Sequence, residues 1–322
     1  MTDKSMPLAE AIRRFVGDGS HISIGGFTIN RNPMAAVYEI IRQGRQGLHL
    51  YAHSNGQGVD ELIGGGCVQR LEIAYGGNGR FASTCLRFRK AVQAGTLAVE
   101  DYSNYQMSLR FLAGAMGVPF LPTRSGLGSD IMTRWGFPPE YRASDPRVPD
   151  QKLCIMDNPF TGHTDVPKVV LVPAIQTDVA IIHVQQADRQ GTARIKGLPF
   201  VDVEQAKASA HVIITCEALV EPEVLRENSD LNRIPPFIVD AVVPVPYGAY
   251  PTACYGHYDY DPVFLKRYAD LSTDDAAYGD YVERHIRGTK DHAAFLDQAA
   301  PGGLAAIRAD AETGYARSLD RH

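Results

Sequence analysis

Asp18-Gly-Ser-His-Ile-Ser-Ile-Gly-Gly-Phe-Thr-Ile-Asn-Arg-Asn-Pro33 is the stretch on which the fold turns. Residues 21–24 read as a short buried strand, Gly25-Gly26-Phe27 as the turn that leaves it, and Pro33 as the opening of a helix. Two glycines in succession let a backbone approach a ligand closely and leave N–H groups to point at it. The helix N-terminus beyond adds donors and a positive dipole end, so the place suits a carboxylate, a phosphate or a developing oxyanion. Thr28 is placed to hydrogen-bond a substrate oxygen, and Arg31 to grip a carboxylate through its planar fork.

The same rhythm returns twice. A strand at 48–52 runs into His53-Ser54-Asn55-Gly56-Gln57-Gly58, and one at 71–75 into Gly76-Gly77-Asn78-Gly79. Strand, glycine-rich loop and helix in repetition predict an α/β fold, an open, mostly parallel sheet with helices on both faces. Ligands in such sheets bind beyond the carboxyl ends of the strands, where all three loops lie. Helices are expected over 8–16, 33–42, 59–63, 85–94 and 102–116, with a strand at 97–99 between the last two. Further strands are expected at 118–121, 168–172, 178–184, 211–215 and 239–245, as continuations of the one sheet. From about 130 to 165 the periodicity gives way to Pro, Asp and Arg, an excursion across the surface or onto a partner. Helices close the chain, and residues 1–322 read as one domain.

Composition narrows the function. The 322 residues are 44% hydrophobic and 21% charged, with a net charge of −5. Nothing in that balance suits nucleic acid or an anionic membrane. No apolar run approaches the roughly 20 residues needed to span a bilayer, and the first residues have no apolar signal core. The five cysteines include no Cys-x-x-Cys pair, which argues against disulfides and zinc and for a reducing cytoplasm. No Gly-x-Ser-x-Gly elbow is present, so a serine hydrolase of the α/β type is not expected.

Other positions could carry chemistry. Ser54, Asn55 and Gly56 follow a strand on the ligand edge. Glu61, Glu72, Glu100, Asp101 and Glu217 are the carboxylates available as nucleophiles, and Glu100 lies just after a strand. Ser103 is a helix cap or a hydroxyl donor to substrate. Arg124-Ser-Gly-Leu-Gly-Ser129 has the composition of a backbone anion nest, and it lacks the Lys-Ser/Thr of a nucleotide P-loop. Gln185 ends the long apolar strand, while His183 within it reads as a packed core histidine. His257, Asp259 and Asp261 alternate as a polar loop would, and no metal is expected there.

The wording of these segments resembles the class I coenzyme A transferases. Arg31, in Gly-Gly-Phe-Thr-x-x-Arg-x-Pro, stands where a glycine is usual and is similar to the branch formed by glutaconate CoA-transferase alpha subunits. The likeness runs through residues 87–90, 100–103, 119–122, 157–160, 178–183, 239–243 and 254–256. Gln185-Gln-Ala-Asp-Arg-Gln-Gly191 resembles another family segment, with Thr192 where an asparagine is usual. The catalytic subunits of that family carry Ser-Glu-Asn-Gly with a nucleophilic glutamate, and here His53-Ser54-Asn55-Gly56 has none. The resemblance thus implies an alpha-type subunit whose homologous beta subunit supplies the glutamate, with the active site between them. It implies acyl-CoA and a carboxylic or dicarboxylic acid as substrates and no bound cofactor. Gly25 and Gly26 would be oxyanion donors; Arg31, Ser54 and Ser103 would hold the acid's far end. The same scaffold also serves decarboxylases and a ring-opening CoA-ester hydrolase, and a non-catalytic acyl-CoA-binding subunit is a third reading.

Overall fold

Parallel strands with helices between them carry the chain, and residues 18–76 lay down the first three. The computed structural model describes residues 2–160, 162 and 165–319. Its strands are β1 His21–Ile24, β2 Leu48–Asn55, β3 Val68–Gly76, β4 Ala98–Asp101, β5 Phe120–Thr123 and β6 Cys154–Asp157. They continue as β7 Lys168–Pro173, β8 Thr177–Ala187, β9 Ala193–Arg194, β10 Ser209–Leu219, β11 Asn232–Ile234 and β12 Ala241–Pro244. The first helices are α1 Leu8–Phe15, α2 Met34–Arg42, α3 Gln57–Gly64, α4 Leu86–Gln93, α5 Asn104–Met116 and α6 Pro139–Ser144. After them come α7 Asp202–Lys207, α8 Pro222–Arg226, α9 Pro262–Leu271, α10 Asp275–Tyr281 and α11 His292–Ala299.

The main sheet has nine strands. β9 and β11 pair antiparallel at the far end of β8. The others run parallel in the order β12-β10-β8-β1-β2-β3-β4. From β1 the chain moves outward through β4, then returns to lay β8 on the other side of β1. The switch point of the sheet therefore lies between β1 and β8, above which an open α/β sheet leaves a crevice. All four residues of β1 are buried, as a strand covered on both faces requires. Ile22, Ile24, Val179 and Ile181 face one core with α1, α2 and α3. Ala180, Ile182, Val184, Val212 and Ile214 face another.

Two strands expected in this sheet are elsewhere. β5 and β7 form a three-stranded antiparallel sheet with β6. The run Lys168-Val-Val-Leu-Val-Pro173 is apolar enough for a central strand, but only alternate residues are fully buried, the pattern of a sheet covered on one side. The 130–165 excursion holds α6 and β6, and residues 161, 163 and 164 within it lie outside the described residues. β2 runs on to Asn55, so Ser54 and Asn55 belong to a strand end and not to a loop. Pro33 immediately precedes α2. Among the described residues no helix is long and apolar enough to cross a membrane.

The closing helices are held by two buried carboxylates of α3. Glu61 accepts from Tyr281 (2.8 Å), Tyr278 (3.2 Å) and Gln57 (3.0 Å), and Asp60 from Tyr268 (2.9 Å). Burial pushes Glu61 up to about 8 and Asp60 to about 6, against the pull of those donors. Glu61 thus stays protonated in the fold at pH values where the unfolded chain ionises it, so its stabilisation fades as pH rises towards 8. The opposing effects of His21 and His292, each lowered to about 4 by burial, fade as pH rises through 6.5 and are small by about pH 7.5. Between pH 7 and 8, urea denaturation should show stability falling by up to about 1.4 kcal/mol per pH unit, and Glu61→Gln should flatten that slope. An unchanged slope would show Glu61 ionised in the fold.

Candidate active site

The turn after β1 closes on itself. Gly25 N–H continues the ladder to Ile181 O (3.0 Å), and Gly26 N–H donates to Asp202 Oδ1 (3.0 Å). Phe27 N–H donates to Asn30 O (2.8 Å) and Thr28 N–H to Ser54 O (3.0 Å). The two glycines therefore present no free oxyanion donors, contrary to the expectation from sequence. They are glycines for room: a Cβ on Gly25 would lie 2.9 Å from Ile182 and 3.1 Å from Asp202, and one on Gly26 2.6 Å from two backbone oxygens.

Arg31 is buried, and its guanidinium donates to Asp202 Oδ2 (2.5 Å), His183 O (2.9 Å) and Leu198 O (3.1 Å). Its charge is matched inside the chain, which corrects its reading as the grip on a substrate carboxylate. Asp202, fully buried at the start of α7, carries no spacing signal in the sequence. Thr28, Arg31 and Phe200 all have φ near +50° (48°, 52° and 53°), a left-handed backbone that non-glycine residues adopt only when neighbours enforce it.

Phe27 stacks on Phe200 at 5.0 Å and lies 5.9 Å from the His53 ring. On the β2 side is a polar rim. Ser54 Oγ donates to Asn104 Oδ1 (2.5 Å), and His53 Nε2 lies 3.0 Å from Asn104 O and from Ser108 Oγ. Burial lowers the His53 pKa and keeps the ring neutral at pH 7. Ser103 caps α5 through Gln106 N–H (3.1 Å), and its Oγ lies 2.7 Å from Ser125 Oγ. Arg124 is exposed next to Ser125. Asn55 faces inward, bonding Gly25 O (3.1 Å) and Val59 N–H (3.2 Å). Gly56 permits the 77–78 loop to pack on it, since a Cβ there would lie 2.1 Å from Asn78 Oδ1. The structure thus brings Thr28 and Ser103 to one edge with His53, the first residue of the His53-Ser54-Asn55-Gly56 segment, and with Asn104, which no motif marks; Ser54 is buried directly behind them.

Glu100 is not at that edge. It is fully buried, accepts from Gly136 N–H (2.7 Å), pairs with Arg142, and lies 3.7 Å from Lys152 Nζ. It ties the excursion to β4, which corrects its reading as a nucleophile. Glu72 is held by Arg110 (2.5 Å) and His49 (3.0 Å). His183, Glu217 and Cys254 bring ligand atoms within 4.8 Å of one another. Glu217, however, already meets His183 Nε2 (2.7 Å), Tyr258 OH (2.5 Å) and Tyr247 N–H (2.7 Å). The other ring nitrogen of His183 reaches Thr215 Oγ1 (2.9 Å). Burial raises the Glu217 pKa and these bonds more than offset it, leaving it below its ordinary value. The cluster is a hydrogen-bond network in which the histidine and the carboxylate are both already engaged.

Gln185 is buried and joins two loops. Its Nε2 donates to Lys196 O and to Tyr255 O, and its Oε1 accepts from Lys196 N–H, each at 3.1 Å. Beside it lies a pocket of about 610 Å³ lined by Phe27, Arg31, Lys196, Phe200, Tyr255 and Tyr315 among others. No sequence pattern announces it, because its walls come from segments far apart in the chain.

Residues 5–244 match the family model of coenzyme A transferase. The chain belongs to the coenzyme A transferase family. It is 41% identical to the alpha subunit of glutaconate CoA-transferase from Acidaminococcus fermentans, over 97% of each chain. The crystal structure of that enzyme superposes with a TM-score of 0.93 over 98% of each chain. The corresponding subunit of 3-oxoadipate CoA-transferase from Pseudomonas knackmussii is 33% identical over 92% of this chain and 98% of its own. A cholesterol ring-cleaving hydrolase IpdA subunit of Rhodococcus jostii is 30% identical over 90% and 94%. The open α/β fold of this chain is that of the family.

In this CoA transferase chain the Arg31–Asp202 pair should be a strong local determinant of stability. Asp202→Asn leaves a buried guanidinium without its counter-charge, at a cost of roughly 3–5 kcal/mol. Adding Arg31→Met to that variant should recover part of the loss in urea denaturation. A double variant no more stable than Asp202→Asn would show that the two charges are not coupled.

Proposed function

We propose that this chain works with a homologous beta subunit that carries the nucleophilic glutamate, moving CoA between an acyl-CoA and a dicarboxylic acid of the glutaconate kind. One observation supports this most: the polar rim around Phe27 consists of hydroxyls, amides and an imidazole, the buried carboxylates are engaged internally, and Asp101, exposed at the end of β4, is paired with Lys152 Nζ (3.1 Å). Glu100, Asp202 and Glu217 each hold a loop or an excursion. A transferase of this type still needs a carboxylate to carry the acyl group, so the partner must provide it.

The partner's glutamate attacks the thioester carbonyl and expels CoA thiolate, leaving an acyl-glutamyl anhydride. Thiolate attacks the glutamyl carbonyl, forming a glutamyl-CoA thioester and releasing the first acid. The acceptor carboxylate attacks that thioester, and the thiolate, released again, attacks the acceptor's carbonyl in the new anhydride. The products are the new acyl-CoA and the free glutamate. No water enters and the thioester energy is conserved. Ser103, Thr28 and His53 would face the reacting groups across the interface, with Ser54 buried behind them holding Asn104 (2.5 Å) and Phe27 and Phe200 shielding the site from solvent. Hydrolysis, the activity named for the Rhodococcus relative, would on the family resemblance call for an acidic residue shortly after 100–101, where this chain has Ser103-Asn104-Tyr105.

The complex recovered with this chain, treated with acyl-CoA and then borohydride, should carry its reduced, mass-shifted glutamate on the partner and not on this chain. Glu100→Gln should lower the melting temperature and leave kcat of the folded complex within a few-fold of the parent. Loss of turnover by orders of magnitude in a folded Glu100→Gln complex, or a modified residue in this chain, would place the nucleophile here instead.

A further inference from the structure

We infer that the aromatic pocket beside Phe27 receives the far end of the acid substrate and that Lys196 reads a second carboxylate there. The inference rests on the transfer reaction proposed above and names the group that selects its acid. A volume of about 610 Å³ is that of a small-molecule site. Phe27, Phe200, Tyr255, Tyr260 and Tyr315 give it aromatic walls suited to a short carbon chain. Two cations line it, and they are not equivalent. Arg31 is neutralised by Asp202 (2.5 Å). The Lys196 side chain is exposed at the mouth, and among the described residues no carboxylate forms an ion pair with it.

The origin of that ammonium is fixed. Gln185 clamps the Lys196 backbone through both its N–H and its C=O, and binds Tyr255 O with the same amide. One buried side chain thus sets the spacing between the cation and the opposite aromatic wall. A single available ammonium matches a single carboxylate. The nucleotide end of CoA, with several phosphate charges, would need more cations than this pocket offers. Tyr255, Tyr260 and Tyr315 also lie beyond residue 244, where the match to the family model ends. The pocket is thus built jointly: the matched segment supplies Lys196, Phe27 and Phe200, and the segment that follows it supplies the three tyrosines opposite.

The test uses the complex of this chain with its beta subunit, acetyl-CoA as donor, and glutarate, adipate and pentanoate as acceptors. Lys196→Met should lower the ratio of kcat/KM for the diacids over pentanoate about tenfold or more, by raising the diacid KM, and Lys196→Arg should retain most of it. Calorimetric titration of the diacids into the same complexes should show the same loss in affinity. An unchanged ratio, a KM effect confined to acetyl-CoA, or diacids that do not bind the parent complex would overturn the inference. Diacids that bind in a Lys196-dependent way but never accept CoA would instead overturn the transfer reaction and leave the pocket standing.

Discussion

The buried pair of Arg31 and Asp202 is the interaction on which the carboxyl edge of the sheet depends. It sits at the switch point between β1 and β8, and Asp202 takes the guanidinium with one oxygen and Gly26 N–H with the other. The remaining guanidinium donors reach His183 O and Leu198 O. A charge pair removed from water is tolerable only when its hydrogen-bonding capacity is filled in this way. The turn after β1, the end of β8 and the 198–202 loop are thereby held in one arrangement, with Phe27 against Phe200.

The same device recurs. Glu100 binds the excursion to β4, Glu217 binds the 247–258 segment to β8 and β10, and Asp60 with Glu61 binds the last helices to α3. Each places a carboxylate where an insertion or an extension meets the body of the fold. A carboxylate that accepts several donors in a fixed geometry makes a good joint and a poor nucleophile, because attack would break the bonds that position it. This chain uses its buried acids as joints, which leaves the proposed transfer reaction to draw its carboxylate from the beta subunit.

Much of the fold is legible in the sequence because its signals are local. Gly25-Gly26 after a strand, and the same rhythm at 53–58 and 76–79, mark strand ends whatever the tertiary context. β5 and β7 are not legible as a separate sheet, since Val169-Val-Leu-Val172 reads identically in a sheet covered on one face or on two. The site is readable in part. Ser103 and Thr28 do meet at one edge, with Ser54 buried behind them, but Arg31 and Glu100 read as free because their partners, Asp202 and Arg142, are far away in sequence and carry no motif. Gln185 stands out through its family segment, yet its role, clamping Lys196 and Tyr255, depends on loops that only the folded chain brings together.

Thr28, Arg31 and Phe200 share an unfavourable backbone state that costs each on the order of 1 kcal/mol or more. That energy is supplied during folding, by the packing and the ion pair around them, and not at the moment another chain arrives. A surface already held in its working shape gives up little freedom when it is covered. A ligand entering beside Phe27 and Phe200 then meets a wall already in place and spends little of its binding energy on ordering it.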